Sequence, residues 1–297
     1  MIEKFAGANP EVPMGIIIGI ILGIVQGLCE FLPVSSSGHL VLLQNVFGIE
    51  ENALFFTIML HIGTLVAVFV VYRKVIGEML LSVIKFLRLL FTGKWQALRE
   101  HVKTPVQLKL FYLIIATLVT VVMALVFNDL IDESYEGKYL GFGFIITSLV
   151  LFSLNFVKRK GRTMKWWNAC GIGFMQGIAI LPGISRSGST IAGATWFGLR
   201  KEEAAEFSFM LSIPAILGSL ILEVPDIIRE GFGSVNWLQI GVGVVFAAVS
   251  GYFAIKWMIK LIVNKSLNIF AVYTAILGVL VLLDQFVFNI FMENPFM

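Results

Sequence analysis

The 297 residues predict an all-α integral membrane protein in which six transmembrane helices and two re-entrant helix-loop-helix hairpins form an inverted-topology repeat. Three observations lead there. Apolar residues make up 58% of the chain and charged residues 14%, with a mean hydropathy of +0.91, far from a soluble domain. The stretch GIVQGLCEFLPVSSSGHLVLLQNVFG from Gly23 returns in altered form 150 positions later as GFMQGIAILPGISRSGSTIAGATWFG from Gly173. Basic and acidic residues segregate into alternate loops.

Residues 14–46 are apolar but broken near the middle by Pro33 and three serines, so they read as the first hairpin. A proline and hydroxyls in lipid would leave backbone groups unpaired unless the break lined an enclosed cavity. Their resemblance to a signal-peptide core ends at Gln26 and Glu30, with no small-residue cleavage site, so the N-terminus reads as retained. Residues 54–72 form the first span. Residues 75–92 carry Glu78, Lys85 and Arg88 between apolar positions and predict an amphipathic helix on the cytoplasmic surface. Spans follow at 105–127 and 138–157, completing a first repeat over about 14–157.

Residues 168–198 are the second hairpin, broken at Pro182-Gly183, and spans at 204–222, 236–259 and 267–291 complete a second repeat over about 168–291. The whole chain, 1–297, is thus one membrane domain with no room for a soluble one. Lys and Arg crowd residues 73–104 and 158–165, which are expected in the cytoplasm, whereas Asp129, Asp132, Glu133, Glu136, Glu223, Asp226 and Glu230 belong outside. Every loop falls on its preferred side only if each hairpin returns to the face it entered. Both termini then lie outside the cytoplasm.

The polar residues inside these apolar stretches carry the chemistry. Gln26 and Glu30, at i and i+4, share a face leading to the Pro33 break. A carboxylate buried there needs a purpose. After the break, Ser35, Ser36 and Ser37 open a helix on which Ser36 and His39 share a face. In the second hairpin Arg186 stands among Ser185, Ser187, Ser189 and Thr190, again where a helix begins. Guanidinium, hydroxyls and free helix amides make an anion-binding set suited to phosphate.

The alignment pairs Gln26 with Gln176, Ser35 with Ser185 and Ser37 with Ser187, while Glu30 and His39 occur only in the first copy and Arg186 only in the second. If the tips meet, one cavity holds an acid/base, a hydroxyl, an imidazole and a cation, enough to break a phosphoanhydride. Blander readings stand beside this one: a serine that only caps its helix, a packed histidine, an arginine that only neutralises Glu30. His61, aligned with Ser212, is read as a helix-helix hydrogen bond and not as catalytic. Gly15, Gly19, Gly23 and Gly27 form a small-xxx-small packing stripe. Cys29 and Cys170 lack metal or disulfide spacing. No basic run with interleaved aromatics suggests nucleic acid.

Two motifs, QGLCEFLPVSSSGH from Gln26 and PGISRSGST from Pro182, give the chain a specific likeness. Over nearly its whole length it resembles the bacterial undecaprenyl-diphosphate phosphatase family, also called bacitracin-resistance proteins. The resemblance implies hydrolysis of undecaprenyl diphosphate to the monophosphate carrier recycled in peptidoglycan synthesis, in the bacterial inner membrane. It implies Glu30 as catalytic acid, Ser36 as candidate nucleophile, His39 as the histidine and Arg186 as the phosphate-binding arginine. Gln26, Ser35, Ser37, Ser185, Ser187 and Thr190 are the implied phosphate contacts. It also implies a divalent cation, Mg or Ca, with Glu30 as ligand, and a site opening to the outer face. Many members have glutamate where this chain has Gln26; an amide cannot titrate, which unsettles a two-carboxylate metal site. A polyprenyl-phosphate transporter, alone or as a second role, is the first alternative. The acid-phosphatase-like lipid phosphatases are the second, though their KxxxxxxRP element is missing. Whether the chain pairs as a homodimer is left open.

Overall fold

A helix satisfies the backbone of a long apolar run without water, and the computed structural model contains helices and no strand among its described residues. Those residues are 12–49, 53–127, 130, 137–157, 161–230, 236–264 and 266–292. The expected acidic stretch 128–137 lies outside them except for Leu130 and Gly137, as do Lys158, Arg159, Lys160 and both termini.

The first expected hairpin is α1 (Val12–Phe31) and α2 (Ser36–Phe47), joined by a four-residue break at Leu32–Ser35. Next come α3 (Ala53–Val71), α4 (Arg73–Phe91), the short α5 (Trp95–His101), α6 (Pro105–Val126) and α7 (Leu140–Ser153), which tightens into a 3₁₀ turn at Leu154–Phe156. The second expected hairpin is α8 (Trp166–Ile178) and α9 (Arg186–Trp196); α10 (Lys201–Glu230), α11 (Trp237–Asn264) and α12 (Asn268–Leu283) follow.

Among the described residues four stretches, Pro105–Val126, Lys201–Leu222, Trp237–Ile262 and Asn268–Phe288, are long and apolar enough to cross a bilayer. A fifth exists if α3 and α4 count as one span, although they meet at 83°. α6 shows why the solvent on this surface is lipid. Phe111, Ile114, Leu118, Val122 and Leu125 all lie exposed on it, an apolar surface that water would not tolerate. This is a multi-pass membrane bundle.

Three elements end differently from expectation, one being α11, which runs to Asn264 and not to residue 259. α10 continues as helix to Glu230, beyond the expected stop at residue 222. The last span stops short of residue 291: after a π turn at Asp284–Phe288 the chain reverses through Asn289 at φ 47°, and the Asp284 carboxylate accepts N–H bonds from Ile290, Phe291 and Met292. One side chain there satisfies three amides that the helix cannot.

Packing follows the glycines. A Cβ on Gly23 would lie 2.4 Å from the Gly243 carbonyl oxygen, and one on Gly27 would lie 2.4 Å from that of Ala247, so α1 runs against the backbone of α11. The aligned Gly173 has the same relation to α6, with the Ala116 carbonyl oxygen 2.4 Å from its would-be Cβ. α7 and α12 pack together, and so do α3 and α10. At the centre the breaks interlock: a Cβ on Gly38 would fall 2.9 Å from the Gly183 amide, and one on Gly143 would fall 2.4 Å from the Pro182 carbonyl oxygen.

Gly23→Ala is therefore expected to lower stability by about 1–3 kcal/mol through overpacking. Gly241→Ala, whose Cβ would meet nothing within 4 Å, leaves it unchanged. Thermal unfolding of the two purified variants in one detergent checks the difference.

Candidate active site

The end of α1 points the Glu30 carboxylate at the start of α9. Arg186 Nη2 donates to Glu30 Oε1 at 2.5 Å, and Arg186 Nη1 donates to the Ser208 carbonyl oxygen of α10 at 3.3 Å. The other carboxylate oxygen, Oε2, accepts from Ser36 Oγ at 2.6 Å and from Gln26 Nε2 at 3.0 Å. Glu30 is buried, its side chain 5% exposed; Arg186 and Ser36 stay partly exposed. A carboxylate in such surroundings survives ionised only with a counter-charge and several donors, and this one has both.

Serines shape the two breaks. Ser35 Oγ accepts the Gly38 amide at 3.3 Å and Ser185 Oγ accepts the Gly188 amide at 3.1 Å, so each caps its helix. Each cap lies within reach of the hydroxyl two residues on, Ser35 with Ser37 at 3.4 Å and Ser185 with Ser187 at 3.3 Å. The copies differ in strain. Ser35 sits at φ 71°, a conformation that disfavours a side chain, whereas Ser185 is extended at φ −70°. Ser187 Oγ donates to the Leu32 carbonyl oxygen at 3.1 Å, which fastens one tip to the other. Thr147 on α7 donates to the Gly183 carbonyl oxygen and accepts the Ser185 amide, both at 2.8 Å, and so fixes the second break from outside. Thr190 shares a 2.6 Å hydrogen bond with Ser208.

The structure thus brings Gln26, Glu30, Ser36 and Arg186 together. His39, named with them on sequence grounds, makes its hydrogen bonds elsewhere. Its Nδ1 donates to the Ser35 carbonyl oxygen at 2.7 Å, and its Nε2 lies 2.7 Å from the Tyr273 hydroxyl of α12. A carbonyl can only accept, so Nδ1 carries the proton and Nε2 accepts from Tyr273. The two rings also stack, 5.7 Å between centroids. His39 holds the strained Ser35 turn and does not touch Glu30 through a hydrogen bond.

Three neighbours were not legible as site residues. His61, read from the sequence as a helix-helix hydrogen bond and not as catalytic, places Nε2 3.6 Å from Glu30 Oε2. Ser208 and Tyr273 come from spans with no motif of their own. One signal existed for Ser208: the repeat aligns it with Thr57, the residue whose carbonyl oxygen holds His61 Nδ1 at 2.8 Å.

For a cation the protein supplies little by itself. Among the described residues no group of three or more His, Cys, Asp or Glu side chains could hold a metal ion. Gln26 Oε1, however, is buried without a hydrogen-bond partner one turn before Glu30. Gln176 Oε1 is likewise unpaired, but its i+4 neighbour is Ile180 and not a carboxylate. Amide oxygen and carboxylate oxygen are hard donors that suit Mg or Ca when phosphate oxygens and water complete the shell.

The Glu30–Arg186 pair is expected to behave as one unit. Arg186→Leu alone, which strands a buried charge, lowers stability by about 3–5 kcal/mol, and adding Glu30→Leu recovers a large part of the loss. Unfolding of the two single variants and the double variant measures the coupling; strict additivity would contradict it.

A family model described as bacitracin resistance protein BacA matches residues 19–280. The chain is 42% identical over 262 residues to an undecaprenyl-diphosphatase of Alkaliphilus metalliredigens, covering 86% of this chain and 94% of that protein. It is 40% identical to an undecaprenyl-diphosphatase of Carboxydothermus hydrogenoformans, covering 87% and 93%, and 40% identical to one of Desulfatibacillum aliphaticivorans, covering 88% and 95%.

Proposed function

The chain belongs to the bacitracin resistance protein BacA family, and we propose that it hydrolyses undecaprenyl diphosphate to undecaprenyl phosphate and inorganic phosphate. One observation carries this reading beyond family membership. The hydroxyl of Ser36 already donates its hydrogen to Glu30 at 2.6 Å, while Arg186 reaches the same carboxylate from the opposite hairpin. A positioned hydroxyl, a base on its proton and a guanidinium beside both are the parts that phosphoryl transfer needs.

In the scheme these parts support, the diphosphate lies between the starts of α2 and α9, where helix amides and dipoles favour anions. Ser35, Ser37, Ser185, Ser187 and Thr190 shape that cradle. Arg186 grips the phosphoryl oxygens with the N–H groups that Glu30 and Ser208 leave free. The Ser36 oxygen attacks the terminal phosphorus as its proton passes to Glu30, and the bond to the bridging oxygen breaks, releasing the lipid monophosphate. Water then attacks the phosphoserine, and Ser36 recovers a proton as phosphate departs. His39, held between Ser35 and Tyr273, keeps the first turn in its strained conformation. Gln26 and Glu30 are the residues that would hold a divalent cation, which neutralises charge on the phosphate oxygens when bound.

The finer architecture follows from the same reading. We take α1–α2 and α8–α9 as re-entrant hairpins and α3, α6, α7, α10, α11 and α12 as spans of two inverted repeats. Supporting this, α1 packs on α11 as α8 packs on α6, and two further pairs, α3 with α10 and α7 with α12, join equivalent members, while α3 also packs on α11. We take both termini to lie outside the cytoplasm and the site to open to that side, a reading that the Lys and Arg of the loops support. Every residue of the site comes from one chain, so a homodimer would not change the scheme. A transporter remains the reading that broken helices alone would suit, and none of the three relatives' names favours it.

Purified protein in detergent is expected to release phosphate from a polyprenyl diphosphate. Ser36→Ala loses about a thousandfold or more in turnover, and acid-quenched wild-type protein carries phosphate on Ser36. Hydrolysis that persists in Ser36→Ala would transfer the attack to water; no release by the wild type under any metal would overturn the phosphatase reading. Chelation with EDTA is expected to stop turnover without changing the unfolding temperature, and added Mg restores it.

A further inference from the structure

α4 has three faces, and the bundle covers only one of them. Met79 and Ser82 are buried, and Val75, Phe86 and Leu89 are half-buried in line with them, a spacing that puts all five on one side of a helix. Ser82 ties this side to its neighbours. Its hydroxyl donates to Gln107 Oε1 of α6 at 2.8 Å, and its carbonyl oxygen accepts from His101 Nε2 of α5 at 2.9 Å.

The second face is apolar and uncovered: Leu80, Val83, Ile84, Leu87 and Phe91 share one arc, with Leu80 60% and Phe91 84% exposed. The third is charged. Lys74, Glu78, Lys85 and Arg88 follow one another at helical spacing along the far edge, all of them exposed. Among the described residues no carboxylate lies within ion-pair distance of Lys74, Lys85 or Arg88. Residues 73–104 as a whole hold seven Lys and Arg against two Glu.

The apolar arc continues a surface that is already in lipid. Val66, Phe69 and Val70 lie exposed at the end of α3, just before the chain turns through 83° into α4. A helix set at that angle to a span runs along the membrane plane. Lys94 and the exposed Trp95 come just after it, a cation beside an indole, which suits the headgroup level.

We infer that α4 lies flat in the headgroup region of the Lys- and Arg-rich leaflet, its apolar arc on acyl chains and Lys74, Lys85 and Arg88 bound to anionic phospholipid headgroups. Neutral lipid would seat the apolar arc equally well but would leave three cations without a counter-charge; anionic lipid satisfies both faces. Glu78 weakens the attraction without cancelling it. A second copy laid against this face would set Lys and Arg against Lys and Arg, at a cost that headgroup phosphates do not incur. The hydrogen bonds at Ser82 pass the seat on to α5 and to the first turn of α6. None of this rests on the phosphatase reading.

The test uses the full-length protein in nanodiscs of phosphatidylcholine alone, or with about one-third phosphatidylglycerol, and follows hydrogen–deuterium exchange. Amides over residues 80–91 are expected to exchange about tenfold more slowly with phosphatidylglycerol present, while those of α12 keep their rates. Adding about 0.5 M NaCl removes the difference, because salt screens exposed charges. So does the triple variant Lys74→Gln, Lys85→Gln, Arg88→Gln, which keeps the apolar arc. Equal exchange in the two lipids at low salt would overturn the inference, and so would a lipid difference that survives in the triple variant. Protection that follows dimer formation and not lipid charge would also overturn it, giving the face to a second copy. Should the triple variant elute or unfold differently from wild type, the salt series on the wild type decides alone: a difference that persists at high salt is not ionic and sinks the headgroup contact. Phosphate release is no part of the readout, so this outcome and that of the proposed reaction stay separate.

Discussion

A carboxylate enclosed by apolar helices constrains everything around it. Removing Glu30 from water is expensive, and no single neighbour offsets that expense. The surrounding fold reads as the set of devices that do: a guanidinium from the second hairpin, a hydroxyl from the turn after Pro33 and an amide one helical turn earlier. Remove the meeting of the two hairpins and Glu30 would have to be neutral or solvated. Both alternatives would also change the hydrogen bond that Glu30 accepts from Ser36, so the contact between the hairpins also fixes the geometry around that hydroxyl.

Bringing Arg186 within hydrogen-bond distance of Glu30 demands that two broken helices approach tip to tip, which side chains would forbid. Gly38, Gly143 and Gly183 make the approach possible, since each would clash with backbone if it carried a Cβ. The hydroxyl of Ser187 on the Leu32 carbonyl oxygen and that of Thr147 at the second break replace the backbone partners that the broken helices give up. Polar residues at the breaks therefore satisfy the backbone that the interrupted helices orphan.

Much of this could be read in the chain because the physics is local. Pro33 and Pro182-Gly183 inside apolar runs announce breaks, and a repeat with unequal polar residues announces where chemistry sits. Element positions followed from hydropathy, except where a long-range or terminal contact decided them. The end of α12 depends on Asp284 capturing three amides that lie six to eight residues further on, which no periodic pattern encodes. His39 and His61 illustrate the same limit at the site. On sequence, the i, i+3 spacing ties His39 to Ser36, and His61 has no polar neighbour in its span beyond Thr57 and Thr64. In space, Tyr273 from the last helix takes up His39 and the crossing of α1 and α3 sets His61 beside Glu30. Both outcomes are tertiary contacts between residues far apart in sequence.

The duplication also bears on why the two copies contribute different residues. A symmetric pair of hairpins would place like residues at equivalent positions about the centre. Two glutamates there would repel one another, and two arginines would bind phosphate with no base to take a proton. The aligned differences break that symmetry in a coordinated way. Glu30 stands in one copy and Arg186 in the other, and His61 faces the carboxylate where its counterpart Ser212 turns back to the Phe209 carbonyl oxygen. The caps Ser35 and Ser185 remain alike because each helix start needs an acceptor for its free amide. Their backbones do not: Ser35 is strained and braced by His39, while Ser185 is relaxed. Symmetry supplies two like helix starts, and its breaking sets a carboxylate of one copy against a guanidinium of the other.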